Sequence, residues 1–342
     1  MTDTLIAETA PPDEGWRRRR GLPAWARSRK VVAGASLLGI FVLLAVIGPI
    51  IAPDNPSMST TATLAPPSLA HLLGTTNTGQ DVLSQVLAGA RESMEVAVVA
   101  AIIGEGLAIV IGITAGYLDG VAGEILAMLI NIFLVIPVLP LEIVLAGFLE
   151  QKGWFPIALI IAATAWPWGA RILRAQTRTL RKRDYVEAAR IAGDPGWRII
   201  GFEILPNVSA LIITGMLFHI LVALVVQSSL AFLGIGDLTT WSWGTMLYWA
   251  DDASAFLTGA WWWYVPPGIC LALVGMGLAL VNLGLDEVIN PRLRLPKGFK
   301  LQRERRFGRR AAVAAAAAAA GPAGPGPADP GTATETDAGG TR

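Results

Sequence analysis

The chain has 342 residues, of which 53% are apolar and 15% charged, with 27 Lys and Arg against 26 Asp and Glu. A water-soluble fold of this size needs more charged surface and shorter apolar runs, so the composition points to a bilayer. The single cysteine, Cys270, excludes an intrachain disulfide, and His71 and His219 are too few and too far apart in sequence to suggest zinc.

The first 30 residues form a basic segment carrying Arg17–Arg20, Arg27, Arg29 and Lys30. An apolar run over 31–51 follows, long enough to cross a bilayer core. Its exit, Pro49-Ile50-Ile51-Ala52-Pro53, lacks a small-x-small cleavage pattern, so it is expected to stay as an uncleaved first span. Residues 52–90 read as a segment outside the membrane, and 91–291 as a five-helix membrane domain.

Within that domain, further spans are expected at 93–115, 125–149, 154–173, 208–234 and 262–283. Glu105 sits mid-span between Gly104 and Gly106. A carboxylate facing lipid there would cost about 3 kcal/mol. It is therefore expected to face the bundle, lining a path or bonding to a polar group such as His219 or Gln227. Glu142 follows Pro137 and Pro140, which are candidates to break the third span, and invites the same reading. Gly112-x-x-x-Gly116 and Gly275-x-Gly277 suit close helix packing. Tyr117-Leu118-Asp119-Gly120 reads as a turn. Trp241, Trp243, Trp249, Trp261, Trp262 and Trp263 crowd the stretch before the last span, where anchoring at headgroup level is expected, together with contact to an outer partner.

Lys and Arg fall in three regions: seven in the first 30 residues, eight in 171–198 and ten from Arg292 onward. Only Arg91 and Lys152 lie elsewhere. Six spans with both termini in the cytoplasm place all three regions on the side where basic loops collect. Membrane-flanking charge explains these clusters without nucleic acid. The tail 292–342 begins basic, then passes through an alanine tract at 311–320 into a Gly/Pro/Thr-rich stretch. Its part 308–342 cannot bury enough apolar surface to order itself and is expected to be disordered.

The loop 174–207 differs from everything around it. Asp184 stands at the start of a short helix, where an acidic group offsets unsatisfied amides. Tyr185, Ala188, Ala189 and Ala192 share one side at helical spacing. The small Ala188 and Ala189 allow a partner backbone to approach, and Glu187 could fix register by a charged hydrogen bond. Gly193 permits a sharp exit into the Asp194-Pro195-Gly196 turn. A second short helix is expected near 197–204. An amphipathic helix resting on the membrane is the plain alternative; the Ala pair and Gly exit favour a docking knob.

Asp184-Tyr185-Val186-Glu187-Ala188-Ala189-Arg190, with Gly193 and Leu205-Pro206-Asn207 after it, resembles the Glu-Ala-Ala loop of ABC importer permeases. Four further segments resemble the dipeptide/oligopeptide/nickel branch in its second-permease type. They are Gly74–Gln85, Ala231–Gly236, Ser242–Leu247 with Gly259–Trp262 and Pro267-Gly268, and Asn290-Pro291-Arg292. The match covers about 25–297. Thr76, Gln80 and Gln85 depart from the usual Asp, Arg and Arg of that family and suggest an altered cargo or partner contact.

The resemblance implies an all-α polytopic membrane protein with six transmembrane helices, built like a type I ABC importer permease, in the plasma membrane. It implies a non-catalytic subunit that binds no cofactor, with Mg-ATP held by two partner ATPase subunits or domains. A second homologous permease and an extracytoplasmic solute-binding protein complete the machine. Di- or oligopeptides are the first cargo implied, with oligosaccharides or nickel as alternatives. A channel or secondary transporter is the rival class, resting on Glu105, Glu142 and His219 as intramembrane polar groups.

Overall fold

The computed structural model describes residues 28–150 and 153–289. The basic segment up to residue 27, Lys152, Asn290-Pro291-Arg292 and the tail expected to be disordered lie outside the described residues. The described chain is all-helical apart from one isolated bridge between Thr75 and Asp81.

The helices in chain order are α1 (Arg29–Ile51), α2 (Val82–Tyr117), α3 (Val121–Val135), α4 (Val138–Gly147), α5 (Trp154–Leu180) and α6 (Asp184–Ile191). Next, α7 (Gly196–Arg198) runs through a π-helical turn, Ile199–Ile204, into α8 (Leu205–Phe232). Finally come α9 (Trp243–Asp252) and α10 (Trp261–Ile289).

Five helical stretches are long and apolar enough to cross a membrane: α1, α2, α5, α7–α8 and α10. The sixth crossing follows from register. Gly104 packs on Ala162, Gly112 on Ala170 and Gly116 on Arg174. The offset is the same each time, so α2 and α5 run parallel. A Cβ on Gly112 would stand 2.6 Å from the Ala170 carbonyl oxygen, so this close approach requires glycine. Parallel helices start at the same face. The chain must therefore return across the bundle between them, and only α3 and α4 lie there. They are bent by 87° relative to each other. Pro137 disfavours a helical Ile136, which is extended at ψ 128°, and Pro137 itself then precedes the first turn of α4. The third span is thus a broken helix.

At the bundle edge, Gly34 of α1 meets Gly277 of α10, and Val31 meets Gly284, so these helices are antiparallel. The start of α1 and the end of α10 lie at one face, the face that also holds α6.

Helix α2 starts earlier than the span expected at 93–115: residues 82–90, read as lying outside the membrane, are already helical. Asp81 caps this helix by accepting from the Ser84 amide at 2.8 Å. Arg91, Glu92 and Glu95 interrupt the hydropathy there and hide the early start. A helix of 36 residues is about 54 Å long, more than a bilayer core needs. Its first turns therefore project into the cap at the face opposite α6. Helix α9, started by a capping box between Ser242 and Thr245, was not expected at all.

Two of the six tryptophans are buried and so do not fit anchoring at headgroup level. Trp243 is fully buried; its indole donates to the Val86 carbonyl at 3.1 Å, and its ring meets Phe41 edge-on. Trp263 is buried too. Trp241 donates to Ser57, Trp262 to the Thr75 carbonyl and Trp249 to the Leu238 carbonyl. Trp243 and Trp262 tie the cap to the bundle, and Trp241 and Trp249 bond within the cap; among the six, only Trp261 is exposed. Thr76, Gln80 and Gln85 likewise face inward on the cap. The Gln80 amide donates to Thr76 Oγ1, and Gln85 Nε2 donates to Gln80 Oε1 at 2.8 Å. They form a hydrogen-bonded network of neutral side chains in the cap.

Candidate coupling face and buried polar site

Helix α6 opens at Asp184, with Arg183 extended before it. Asp184 and Glu187 stand in the first turn and Arg190 in the last, the arrangement the helix dipole favours. The helix ends in a Schellman motif. Gly193, at φ 85°, donates to the Arg190 carbonyl, and the Asp194 amide donates to the Ala189 carbonyl. Arg198 then pairs with Asp194 at 2.9 Å across the turn.

Val186 is fully buried and fixes the phase of α6 against its own bundle. Ala189 also packs against that inner cluster. Tyr185, Glu187, Ala188, Ile191, Ala192 and Gly193 remain exposed. Ala188 and Ala189 are therefore divided between two faces rather than presented as a pair. Ile191 is 81% exposed, an apolar side chain left for a partner.

The loop is tied to the turn after α2. Arg181 donates to the Tyr117 carbonyl at 3.2 Å and pairs with Asp119 at 2.6 Å. The Arg190 guanidinium lies 5.8 Å from the centre of the Tyr117 ring, within cation–π range. Arg190 thus places α6 against the end of α2, while Arg181 joins the end of α5 to the same turn.

Inside the bundle, Glu105 on α2 and His219 on α8 meet. Glu105 is 1% exposed, and its Oε2 lies 2.7 Å from His219 Nδ1. His219 Nε2 lies 3.1 Å from the Ala165 carbonyl on α5. Both ring nitrogens thus face oxygen. Burial in an apolar interior demands such partners for polar groups.

Gln227 does not join this pair. It lies two turns further along α8, beside a small cavity shared with Glu92 and Asp237. Glu142, on α4, is fully buried and accepts from Thr164 Oγ1 of α5 at 2.6 Å. Its Oε2 has no hydrogen-bond partner among the described residues. Glu142 and His219 both contact α5, at Thr164 and Ala165, but as separate contacts.

Among the described residues, one group has the spacing of metal ligands: Asp54, His71 and Asp81 in the cap. Sequence separation had concealed it. The His71–Asp81 contact at 3.1 Å and the capping role of Asp81 account for this group without an ion.

Residues 108–295, more than half of the chain, match the family described as binding-protein-dependent transport system inner membrane component. The chain belongs to this family of inner-membrane transport components. This permease is 33% identical to the dipeptide transport system permease protein DppC of Bacillus subtilis, over 79% of its own length and 85% of that protein's. It is 32% identical to DppC of Haemophilus influenzae, over 86% of its length and all of the relative. It is 30% identical to the oligopeptide transport system permease protein OppC of Mycobacterium tuberculosis, over 80% and 94%. The expected all-α multi-pass permease is therefore what the family and the fold give. The matched region contains α6, Tyr117 and His219, whereas Glu105 lies just before it.

Proposed function

We propose that this permease imports di- or oligopeptides as half of an ATP-driven translocation path, paired with a second homologous permease. Two ATPase subunits or domains, which hold Mg-ATP, dock on α6 through Tyr185, Glu187, Ala188 and the Gly193 turn. An extracytoplasmic solute-binding protein delivers cargo to the opposite cap. The α6 face is cytoplasmic, and both termini lie on that side, because the basic residues of 171–198 collect there. The carrying observation is α6 itself: anchored inward by Val186, in contact with Tyr117 at the end of α2 through Arg190, and exposed along Ala188 and Ile191. ATP binding at the partner would bias a two-state bundle through that lever. Glu105, His219, Glu142 and Gln227 form the polar interior of the path and its walls.

Peptide cargo follows the dipeptide and oligopeptide transport for which the relatives are named. An oligosaccharide would want free aromatic faces, and the rings of the Trp-rich stretch are mostly engaged within the cap. Nickel would want His219, whose two nitrogens are already in use.

Reconstitution of the two permeases, ATPases and binding protein in liposomes tests this directly. Uptake of labelled dipeptide should require ATP and the binding protein. Uptake without ATP would make the protein a channel or secondary transporter, and uptake of cello-oligosaccharide in place of peptide would overturn the cargo.

A further inference from the structure

Beside Glu105 lies a cavity of about 220 Å³ between α2, α5, α8 and α10. Glu105, Trp168, Thr214, Phe218, Asn282 and Asp286 line it. Trp168 and Phe218 stack with ring centres 4.3 Å apart. The cavity lining contains two carboxylates, an amide, a hydroxyl and two aromatic rings, and no basic side chain among the described residues.

The Glu105 carboxylate is the built part of this site. Oε2 is held by His219, whereas Oε1 makes no hydrogen bond among the described residues. A Cβ at position 215 would stand 2.9 Å from Oε2 and 3.0 Å from Oε1, so Gly215 leaves this carboxylate room. Exposed Asp286 lines the same cavity as Glu105, and no basic side chain stands beside them among the described residues. An anion is disfavoured here. A monocation with an apolar flank is favoured, because Oε1 and Asp286 accept from it and the rings offer their faces.

We propose that this cavity receives the terminal ammonium of the cargo, with the adjoining apolar side chain against Trp168 and Phe218. The proposal rests on the peptide-import reading above and adds which end of the peptide the pathway recognises.

Charge-selective labelling of Thr214→Cys, with Cys270→Ala, in the full reconstituted complex tests it. The probes are 2-aminoethyl and 2-sulfonatoethyl methanethiosulfonate, each rate normalised to a free thiol. The cationic reagent should react about tenfold faster or more. Glu105→Gln should bring the ratio toward one. So should Asp286→Asn, which leaves the buried pair intact and guards against misfolding of the first variant. Phe-Ala dipeptide should slow labelling, and N-acetyl-Phe-Ala should not. Equal normalised rates in the parent protein, or equal protection by both dipeptides, would overturn the proposal. So would protection that depends on phosphatidylethanolamine in the liposomes, since that would assign the ammonium to lipid. If the complex imports peptide while these results fail, the cavity assignment alone falls; if it imports no peptide, the cargo reading falls first.

Discussion

Glu105 and His219 are 114 residues apart in sequence and 2.7 Å apart in space. Removing one partner leaves the other buried without compensation, which typically costs about 3–5 kcal/mol. His219→Ala should therefore lower the thermal unfolding temperature of the purified complex markedly. Glu105→Gln combined with His219→Ala should recover part of that loss, because the stranded charge is gone. A single variant as stable as the parent would remove the pair from the list of contacts that matter. The sequence alone placed Glu105 toward the bundle, since the cost of a lipid-facing carboxylate is a local argument. It left His219 and Gln227 as equal candidates. Choosing between them needed the register of α8 against α2, which no short pattern encodes. The Asp54–His71–Asp81 group was invisible for the same reason.

At the scale of elements, the local signals were the readable ones. The α6 start at Asp184, its stop at Gly193 and the broken third span each depend on a few neighbouring residues. The phase of α6 was not readable, because it depends on where Val186 finds its pocket. Ala188 and Ala189 look equivalent in sequence, yet the first is exposed and the second packs inward. The two positions should respond differently. Ala188→Glu should abolish co-purification of the ATPase while leaving thermal stability within about 0.5 kcal/mol of the parent. Ala189→Glu should lower stability itself, by about 1–3 kcal/mol, because it forces a carboxylate against an apolar cluster. Stability measured in detergent beside a pull-down of the ATPase separates the two. The reverse pattern would place the docking face on the other side of α6. The early start of α2 escaped notice because charges at 91, 92 and 95 mask a helix that Asp81 caps well.

For the whole molecule, parallel packing of α2 with α5 and antiparallel packing of α1 with α10 fix six crossings and put α6 and both helical ends at one face. With Cys270 replaced by alanine, Asp251→Cys should react with an impermeant maleimide in intact cells, and Glu187→Cys only after the membrane is opened. The opposite pattern would invert the proposed orientation. The proposal that a partner's ATP cycle reaches the pathway through α6 is tested most directly by ATP hydrolysis in the reconstituted complex. Rates are compared with and without peptide-loaded binding protein, for the parent and for Ala188→Glu. Loaded binding protein should raise hydrolysis severalfold in the parent and leave it unchanged in the variant. Equal stimulation in both would show that the ATPase takes its signal elsewhere and would contradict the role assigned to α6.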